Sequence, residues 1–229
     1  MLVRYEIKDV RGDNSKQGSS SLSTPTGLPR LKLHTTEEIE KVYVPPKSIL
    51  VNEFTNDSAK NFRNELANAQ RTGQRVVPVV IDSFGGQVYS LLSMMDAISE
   101  CSIPVATVAT GKAMSCGAVL LSCGAPGLRF MSPSATVMIH EVSANAMGKV
   151  EELKVDVKEA DRLNALIFKR MAANCGYHGD ENNWFLNQIH ERNHADWFLT
   201  GEECLKNMIV NHLRTPSFKV CISTEETFG

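Results

Sequence analysis

The chain has 229 residues, of which 42% are hydrophobic and 22% charged, and its formal net charge is −2. This length fits one domain with appendages, and the small net charge argues against nucleic acid or an anionic membrane as a partner. No stretch approaches the roughly 20 apolar residues of a spanning helix, and the first residues lack the apolar block of a signal peptide. The six cysteines form no C-x-x-C pair, which predicts buried free thiols in a reducing compartment, with no disulfide framework or zinc site. We therefore expect a cytoplasmic protein.

The first 30 residues differ in composition from the rest of the chain. A short strand is predicted at 2–7, and residues 11–27 are rich in Gly, Ser, Thr and Asn. Such a segment cannot bury enough apolar surface to offset its ordering entropy, so we expect a mobile loop or tail. The expected organisation is an N-terminal region over 1–30, a folded domain over 31–213 and a C-terminal tail over 214–229.

Strand and helix signals alternate from residue 48 onward. Apolar runs bounded by turn formers predict strands at 48–51, 76–81, 105–109, 128–131 and 136–140. Helical spacing predicts helices at 59–70, capped by Asn56-Asp57-Ser58, then from Val88 to Ile98, and at 116–123. Alternating strands and helices with short connections predict an α/β fold, in which helices cover a parallel sheet.

The longest predicted helix is Lys149–Asn174, whose apolar seam has a 3-4-3-4 spacing. A seam this narrow on a charged helix fits packing against a partner helix of another subunit, or an ordinary long surface helix. Beyond it we predict a helix at 181–192, a strand at 196–200, and a helix from the cap signature at Thr200 through Ile209.

Ser115 stands at a predicted strand-to-helix turn, within Gly111-Lys-Ala-Met-Ser-Cys-Gly117. This position exposes its hydroxyl at a helix N-terminus, where free N–H groups favour negative charge. A serine nucleophile needs both an exposed hydroxyl and donors for the oxyanion. The alternative is a serine that only caps the helix.

Two further features belong to the same edge of the predicted sheet. His140 ends the strand at 136–140, and Gly85-Gly86 follow the strand at 76–81. Ligands bind at the carboxyl edge of open α/β sheets, and glycines there allow backbone N–H groups to approach a ligand closely. His140 also fits a half-buried structural histidine, and the glycines fit an ordinary turn. Together with Ser115, the three features supply a nucleophile, a base and oxyanion donors for acyl transfer.

Four motifs in this order carry a family resemblance: Asp82-Ser-Phe-Gly-Gly86, Gly111-Lys-Ala-Met-Ser-Cys-Gly-Ala118, Met138-Ile-His140, and Asp196-Trp-Phe-Leu-Thr200 followed by Glu202-Glu203. Over roughly 47–213 the chain resembles the ClpP family, the proteolytic subunits of ATP-dependent Clp proteases. The resemblance implies a ClpP/crotonase-type fold of repeated β-β-α and βα units, with residues 149–174 as a protruding handle helix. It also implies a triad and an oxyanion hole: Ser115 as nucleophile, His140 as general base, Asp196 as the orienting acid, and the N–H groups of Gly86 and Cys116.

Asp196 is chosen as the acid of the triad only because it matches the family motif. From the residues, Asp156, Asp161 and Asp180 are equally available. Only Asp196 precedes an aromatic-rich strand and a Glu-Glu helix, as the acid of the family does.

The chain departs from the family pattern at several positions. Asp82 and Phe84 replace the usual Asn and Pro, Cys116 replaces a methionine, and the segment around 177–183 is a few residues longer. In the family, charged residues before the acid, including an arginine, often help the rings to contact each other. This chain has Asn193-His-Ala195 at those positions. This change puts the two-ring assembly in doubt or predicts pH-sensitive contacts through His190 and His194.

The resemblance implies a serine endopeptidase that cuts unfolded chains inside a ring of seven subunits, with two rings stacked as a tetradecamer. An AAA+ unfoldase would supply substrate and hydrolyse ATP, and the peptidase itself would need no metal or nucleotide. A phage capsid-maturation protease of the same type, a non-catalytic ring subunit or scaffold, and a crotonase-type acyl-CoA enzyme are the alternatives. A signal-peptide-peptidase-like Ser–Lys enzyme is a further one, although Lys112 is close to Ser115 in sequence for a base.

Overall fold

A computed structural model describes residues 46–143 and 148–217. The strand predicted at 2–7 and the loop predicted at 11–27 lie outside the described residues. The strands, in chain order, are β1 (Ile49–Val51), β2 (Val77–Ser83), β3 (Val105–Met114), β4 (Arg129–Met131), β5 (Thr136–Ile139), β6 (Trp197–Leu199) and β7 (His212–Leu213). The helices are α1 (Asn56–Gln70), α2 (Val88–Ser99), α3 (Cys116–Ser122), α4 (Val150–Asn174), α5 (Trp184–Glu191) and α6 (Gly201–Lys206), with a 3₁₀ turn at Gly179–Glu181.

The strands form one sheet in the order β1-β2-β3-β4-β7, and β5 pairs with β3 and β6. All pairs are parallel except β5–β6, which is antiparallel. The predicted α/β fold with a parallel sheet is therefore confirmed. The strand predicted at 196–200 is β6, but its antiparallel pairing with β5 is not part of the prediction. The prediction omits β7, because two residues are too few for a periodic signal.

The core lies between this sheet and its helices. Val77, Val79 and Ile81 of β2 are fully buried, as expected for an internal parallel strand. Phe62 and Leu66 of α1 belong to the same apolar cluster. No helix among the described residues combines the length and apolarity needed to cross a membrane.

The central strand β3 is longer than predicted, because it continues through Gly111 to Met114. Gly111 has a φ of 68°, a conformation that glycine adopts without steric cost. Before this residue β3 pairs with β4, and after it Lys112–Met114 pairs with β5. The bend at Gly111 thus allows one strand to serve two neighbours, so the segment predicted as a turn is partly strand.

Helix ends differ from prediction by a few residues. The cap of α1 is Thr55, whose hydroxyl accepts from the Ser58 N–H while the Ser58 side chain accepts from the Thr55 N–H. Asn56–Ser58 therefore lie inside the first turn. The helix predicted at 181–192 begins at Trp184 because a 3₁₀ turn precedes it, and α6 ends at Lys206, before Ile209. Thr200 does cap α6, as predicted.

The long helix α4 packs into the core over its second half only. Asn164, Ile167 and Met171 of the predicted seam are buried, whereas Val150 and Val157 are 66% and 59% exposed. The first half of α4 therefore presents an apolar seam that the described part of the chain leaves uncovered.

Arg129 is the one buried charged residue among the described residues, at 6% exposure. Its guanidinium donates to the Asn174 carbonyl at 2.6 Å and to the Ser122 carbonyl at 3.4 Å. Those carbonyls are the last of α4 and α3, where the helix dipole favours a cation. A third bond, from Nε to Asn211 Oδ1 at 3.2 Å, reaches the segment before β7. Arg129 therefore connects two helix ends to the edge of the sheet.

We expect Arg129→Met to reduce the free energy of unfolding by about 2–4 kcal/mol, because methionine keeps the apolar stem but leaves buried carbonyls without a donor. Urea unfolding followed by circular dichroism measures this loss. Arg162→Met is the matched control, since Arg162 is exposed and forms a surface ion pair with Glu159. Equal midpoints for the two variants would contradict the role of Arg129.

Candidate active site

Strand register brings three of the predicted site residues to one edge of the sheet. In the parallel β3–β5 pair, Met114 lies opposite Met138, so the chain reaches Ser115 beside the end of β5. In the antiparallel β5–β6 pair, Ile139 lies opposite Trp197. The next residues of that ladder are His140 and Asp196. Residues separated by up to 81 positions in sequence therefore come together, because β3 and β5 end where the antiparallel β6 begins.

Ser115 occupies the N-cap position of α3 but makes no side-chain cap hydrogen bond. Its Oγ lies 2.8 Å from His140 Nε2. Its backbone is in a strained conformation, with φ 55° and ψ −119°, which is uncommon for a residue other than glycine. The sharp turn directs the hydroxyl to the histidine, so a simple helix cap does not describe this side chain.

Asp196 lies within ion-pair range of His140, with 3.8 Å between Oδ1 and Nδ1. This distance exceeds that of a hydrogen bond, and the carboxylate is 54% exposed. The other acids left open by the sequence are Asp156, Asp161 and Asp180. They are exposed, and no ion pair joins any of them to His140 within the described ranges.

Gly85 and Gly86 lie directly against the serine turn. A Cβ on Gly85 would be 2.7 Å from Ser115 Cβ, and the φ of Gly85 is 110°. The Gly85 N–H donates to Ser83 Oγ and the Gln87 N–H donates to the Phe54 carbonyl. Neither of these bonds uses the N–H of the intervening Gly86.

Cys116 is the first residue of α3, a position whose N–H has no acceptor within the helix. Its Sγ donates to the Gly86 carbonyl at 3.3 Å. This contact holds the two predicted oxyanion donors on adjoining segments. The predicted donors, the N–H groups of Gly86 and Cys116, are therefore carried by two segments that contact each other next to Ser115.

Asp82 and Phe84, the two residues of the glycine turn that differ from the family pattern, both contact Lys112. Its Nζ lies 2.7 Å from Asp82 Oδ1 and 4.4 Å from the centre of the Phe84 ring. The Lys112 ammonium thus forms an ion pair with Asp82. This geometry does not support the alternative in which Lys112 is the base for Ser115. Phe84 itself is 74% exposed, and it places an apolar surface next to Gly85.

Cys116 is not prepared to act as a nucleophile, although it adjoins Ser115. Burial raises the pKa of its thiol to about 11, although hydrogen bonds with the Gly86 backbone and with the Ser115 side chain act in the opposite direction. At neutral pH it is therefore protonated, and the thiolate is the reactive form. The five cysteines among the described residues are free thiols.

Sequence reasoning missed Glu141, which follows His140 directly. Its two carboxylate oxygens lie 3.2 Å from His190 Nε2 and 2.6 Å from His194 Nδ1. Burial opposes ionisation of Glu141, but hydrogen bonds from His194 and His190 outweigh it and lower the pKa of the carboxyl group. The sequence predicts ring contacts through His190 and His194, whereas Glu141 carries no motif signal. Only the fold brings residue 141 to residues 190 and 194.

We expect Gly85→Ala to reduce labelling of Ser115 by a fluorophosphonate about 100-fold or more, because the added methyl must displace the serine turn. Gly179→Ala is the matched control: Gly179 also has a positive φ, of 62°, but a Cβ there meets nothing within 4 Å. It should lose some stability and keep its labelling. Labelling rates measured by mass spectrometry separate crowding from backbone strain, and unchanged labelling of Gly85→Ala would contradict the close contact.

We expect Cys116 to remain unalkylated by iodoacetamide in the native protein at pH 8, since its raised pKa and burial keep it protonated and shielded. Peptide mass spectrometry after a timed reaction reports each cysteine separately. Partly exposed Cys101 is the internal comparison, and the same reaction in denaturant should modify both. Rapid native alkylation of Cys116 would show a reactive thiol beside Ser115.

A comparison with protein-family models bears on this site. The model described as Clp protease matches residues 34–216. The match includes the serine turn, the glycine turn, His140 and Asp196. Since it extends over most of the chain, the chain belongs to the Clp protease family.

Proposed function

We propose that this chain is a serine endopeptidase that hydrolyses peptide bonds of unfolded polypeptides through Ser115, His140 and Asp196. The observation that carries the proposal is the 2.8 Å contact between Ser115 Oγ and His140 Nε2, made by a serine held in a strained turn. Membership of the Clp protease family supports a protease. The ring chamber, the unfoldase and the cytoplasmic location are part of the same proposal.

In the proposed first step, Ser115 Oγ attacks the carbonyl carbon of the scissile peptide bond. His140 Nε2 takes the hydroxyl proton as the new C–O bond forms. Negative charge then develops on the substrate carbonyl oxygen. We propose that the Gly86 and Cys116 N–H groups donate to this oxyanion, as preorganised backbone donors.

The tetrahedral intermediate collapses when His140 gives its proton to the leaving amine, which breaks the C–N bond and leaves an acyl-enzyme on Ser115. Water then attacks the ester with His140 again as base, and the serine is released. Asp196 stabilises the imidazolium that forms in each half-reaction. The 3.8 Å separation between Asp196 Oδ1 and His140 Nδ1 is compatible with this proposed role, since catalytic contacts often tighten on substrate binding.

Assembly into a chamber is supported by the uncovered apolar seam on the first half of α4. Val150 and Val157 of this seam are each more than half exposed, and apolar surface of this kind marks an interaction site. We propose that this seam packs in a heptameric ring or between two rings forming a tetradecamer. An AAA+ unfoldase such as a Clp ATPase would then deliver unfolded substrates, with no nucleotide or metal required for hydrolysis itself.

A non-catalytic ring subunit is the second candidate, and the incomplete contact between Asp196 and His140 is the observation that favours it. A crotonase-type acyl-CoA enzyme does not use a serine nucleophile, so the Ser115–His140 contact has no role in that alternative. Capsid maturation uses the same chemistry on a different substrate, and it remains within the proposal.

We expect Ser115→Ala to abolish both fluorophosphonate labelling and peptide cleavage, with a fall in kcat on the order of 10⁶-fold, as for removal of a triad nucleophile. Fluorogenic apolar peptides and intact-mass spectrometry provide the two readouts. Cys116→Ser is the control, since only its backbone N–H is proposed to act. Persistent labelling of Ser115→Ala would overturn the assignment.

Native mass spectrometry of the labelled wild-type protein tests the chamber. A labelled particle of seven or fourteen subunits is the expected result. A smaller labelled species would retain the serine chemistry and remove the chamber from the proposal. A ring that takes no label would support the non-catalytic subunit.

A further inference from the structure

Glu141, His190 and His194 form a compact group of metal-ligating side chains, which we name the Glu–His–His cluster. One ligand atom from each residue lies within 4.8 Å of the other two. The oxygen and nitrogen separations from Glu141 are 3.2 Å to His190 and 2.6 Å to His194. Ligand atoms around a tetrahedral metal with bonds of about 2.1 Å are separated by about 3.4 Å. The cluster therefore needs side-chain shifts of an ångström or so to enclose an ion.

Such shifts are accessible because the cluster is open to solvent. The side chains of His190 and His194 are 46% and 61% exposed, and that of Glu141 is 26% exposed. Each imidazole can carry its proton on the ring nitrogen that faces away from Glu141, which leaves a lone pair for a metal. Solvent would complete the coordination at a fourth position.

The ligand set indicates the class of ion. Two imidazoles and one carboxylate suit borderline divalent transition metals such as Zn²⁺, Co²⁺ or Ni²⁺, whereas Mg²⁺ and Ca²⁺ prefer all-oxygen sites. The carboxylate also supplies a negative charge, so the ion would be partly neutralised. We propose that the Glu–His–His cluster is a binding site for a divalent transition-metal ion, with Zn²⁺ as the representative ligand.

The position of the cluster gives the site a consequence for the candidate active site. Glu141 follows His140, and His194 precedes Asp196 by two residues. Asn193 and His194 both have positive φ values, of 56° and 61°, so they form a tight turn between α5 and β6. An ion held by the cluster would join this turn to the end of β5. It would thereby restrain Asp196 relative to His140, whose present separation is 3.8 Å.

The metal site stands apart from the proposed peptidase reaction, and only its effect on hydrolysis rests on that proposed function. Binding is therefore measured first in full-length Ser115→Ala protein freed of metal by chelation. Isothermal titration with Zn²⁺ gives affinity and stoichiometry, and visible absorption of Co²⁺ reports ligand type and geometry. We expect one high-affinity ion per chain, with nitrogen and oxygen ligands and no sulfur-to-cobalt charge-transfer band.

Three variants test the ligands: Glu141→Gln, His190→Gln and His194→Asn. Asparagine tolerates the positive φ at residue 194, so that variant keeps the turn, and Glu141→Gln keeps the shape of the side chain if a histidine variant fails to fold. Each should weaken Zn²⁺ binding by about 100-fold or more, beyond the 10–100-fold typical of changes outside the ligand shell. His178→Asn is the matched control, because His178 is exposed and makes no side-chain cap bond.

Undiminished binding in Glu141→Gln would overturn the proposal, as would a sulfur charge-transfer band or equal losses in His178→Asn. Loss of binding in His140→Asn with retention in Glu141→Gln would move the ion to the candidate active site and also overturn it. In the wild-type protein, Zn²⁺ should change kcat for peptide hydrolysis, and Glu141→Gln should remove that response. A protein that binds Zn²⁺ but cleaves no peptide retains the metal site and contradicts the proposed peptidase.

Discussion

The structure depends on how the central strand β3 ends. Gly111 bends the strand so that its first part pairs with β4 and its last three residues pair with β5. The strand then turns sharply at Ser115, whose strained backbone is held by a hydrogen bond from its N–H to the Met138 carbonyl and by contact with Gly85. The hydroxyl reaches His140 only because β5 lies beside this last section of β3.

The candidate active site has a buried apolar side and a polar side that is open to solvent. The strands behind it are apolar and nearly inaccessible, whereas His140 and Asp196 lie partly in solvent at the edge. Apolar strands hold the backbone of the site rigid, and its polar side chains are accessible to solvent. This arrangement suits chemistry that needs fixed backbone donors and a substrate that can enter and leave. Charged side chains complete the rim: Lys112 is paired with Asp82, and Glu141 is paired with two histidines. The Glu–His–His cluster thus lies next to His140 and two residues from Asp196 along the chain.

Much of the fold and part of the site could be predicted from the sequence. Continuous apolar runs indicated the buried parallel strands, and the spacing of Phe62 and Leu66 indicated α1, because burial imposes these patterns locally. The prediction failed where local signals are weak or compete. The end of β3 contains Gly111 and was interpreted as a turn, and β7 is too short to show a period. The cap of α1 was assigned to Asn56–Ser58 although Thr55 makes the bond.

The sequence by itself determined which residue types stand at strand ends, and hence that Ser115, His140 and the glycine turn would share one edge of the sheet. Tertiary structure alone decided which acid lies near His140, because an antiparallel pairing of β5 with β6 brings Asp196 there. It also decided that Lys112 contacts Asp82 and that Glu141 meets His190 and His194. These pairings join residues 30 to 53 positions apart. No local pattern encodes such contacts, since they depend on strand register and on the path of the connecting loops.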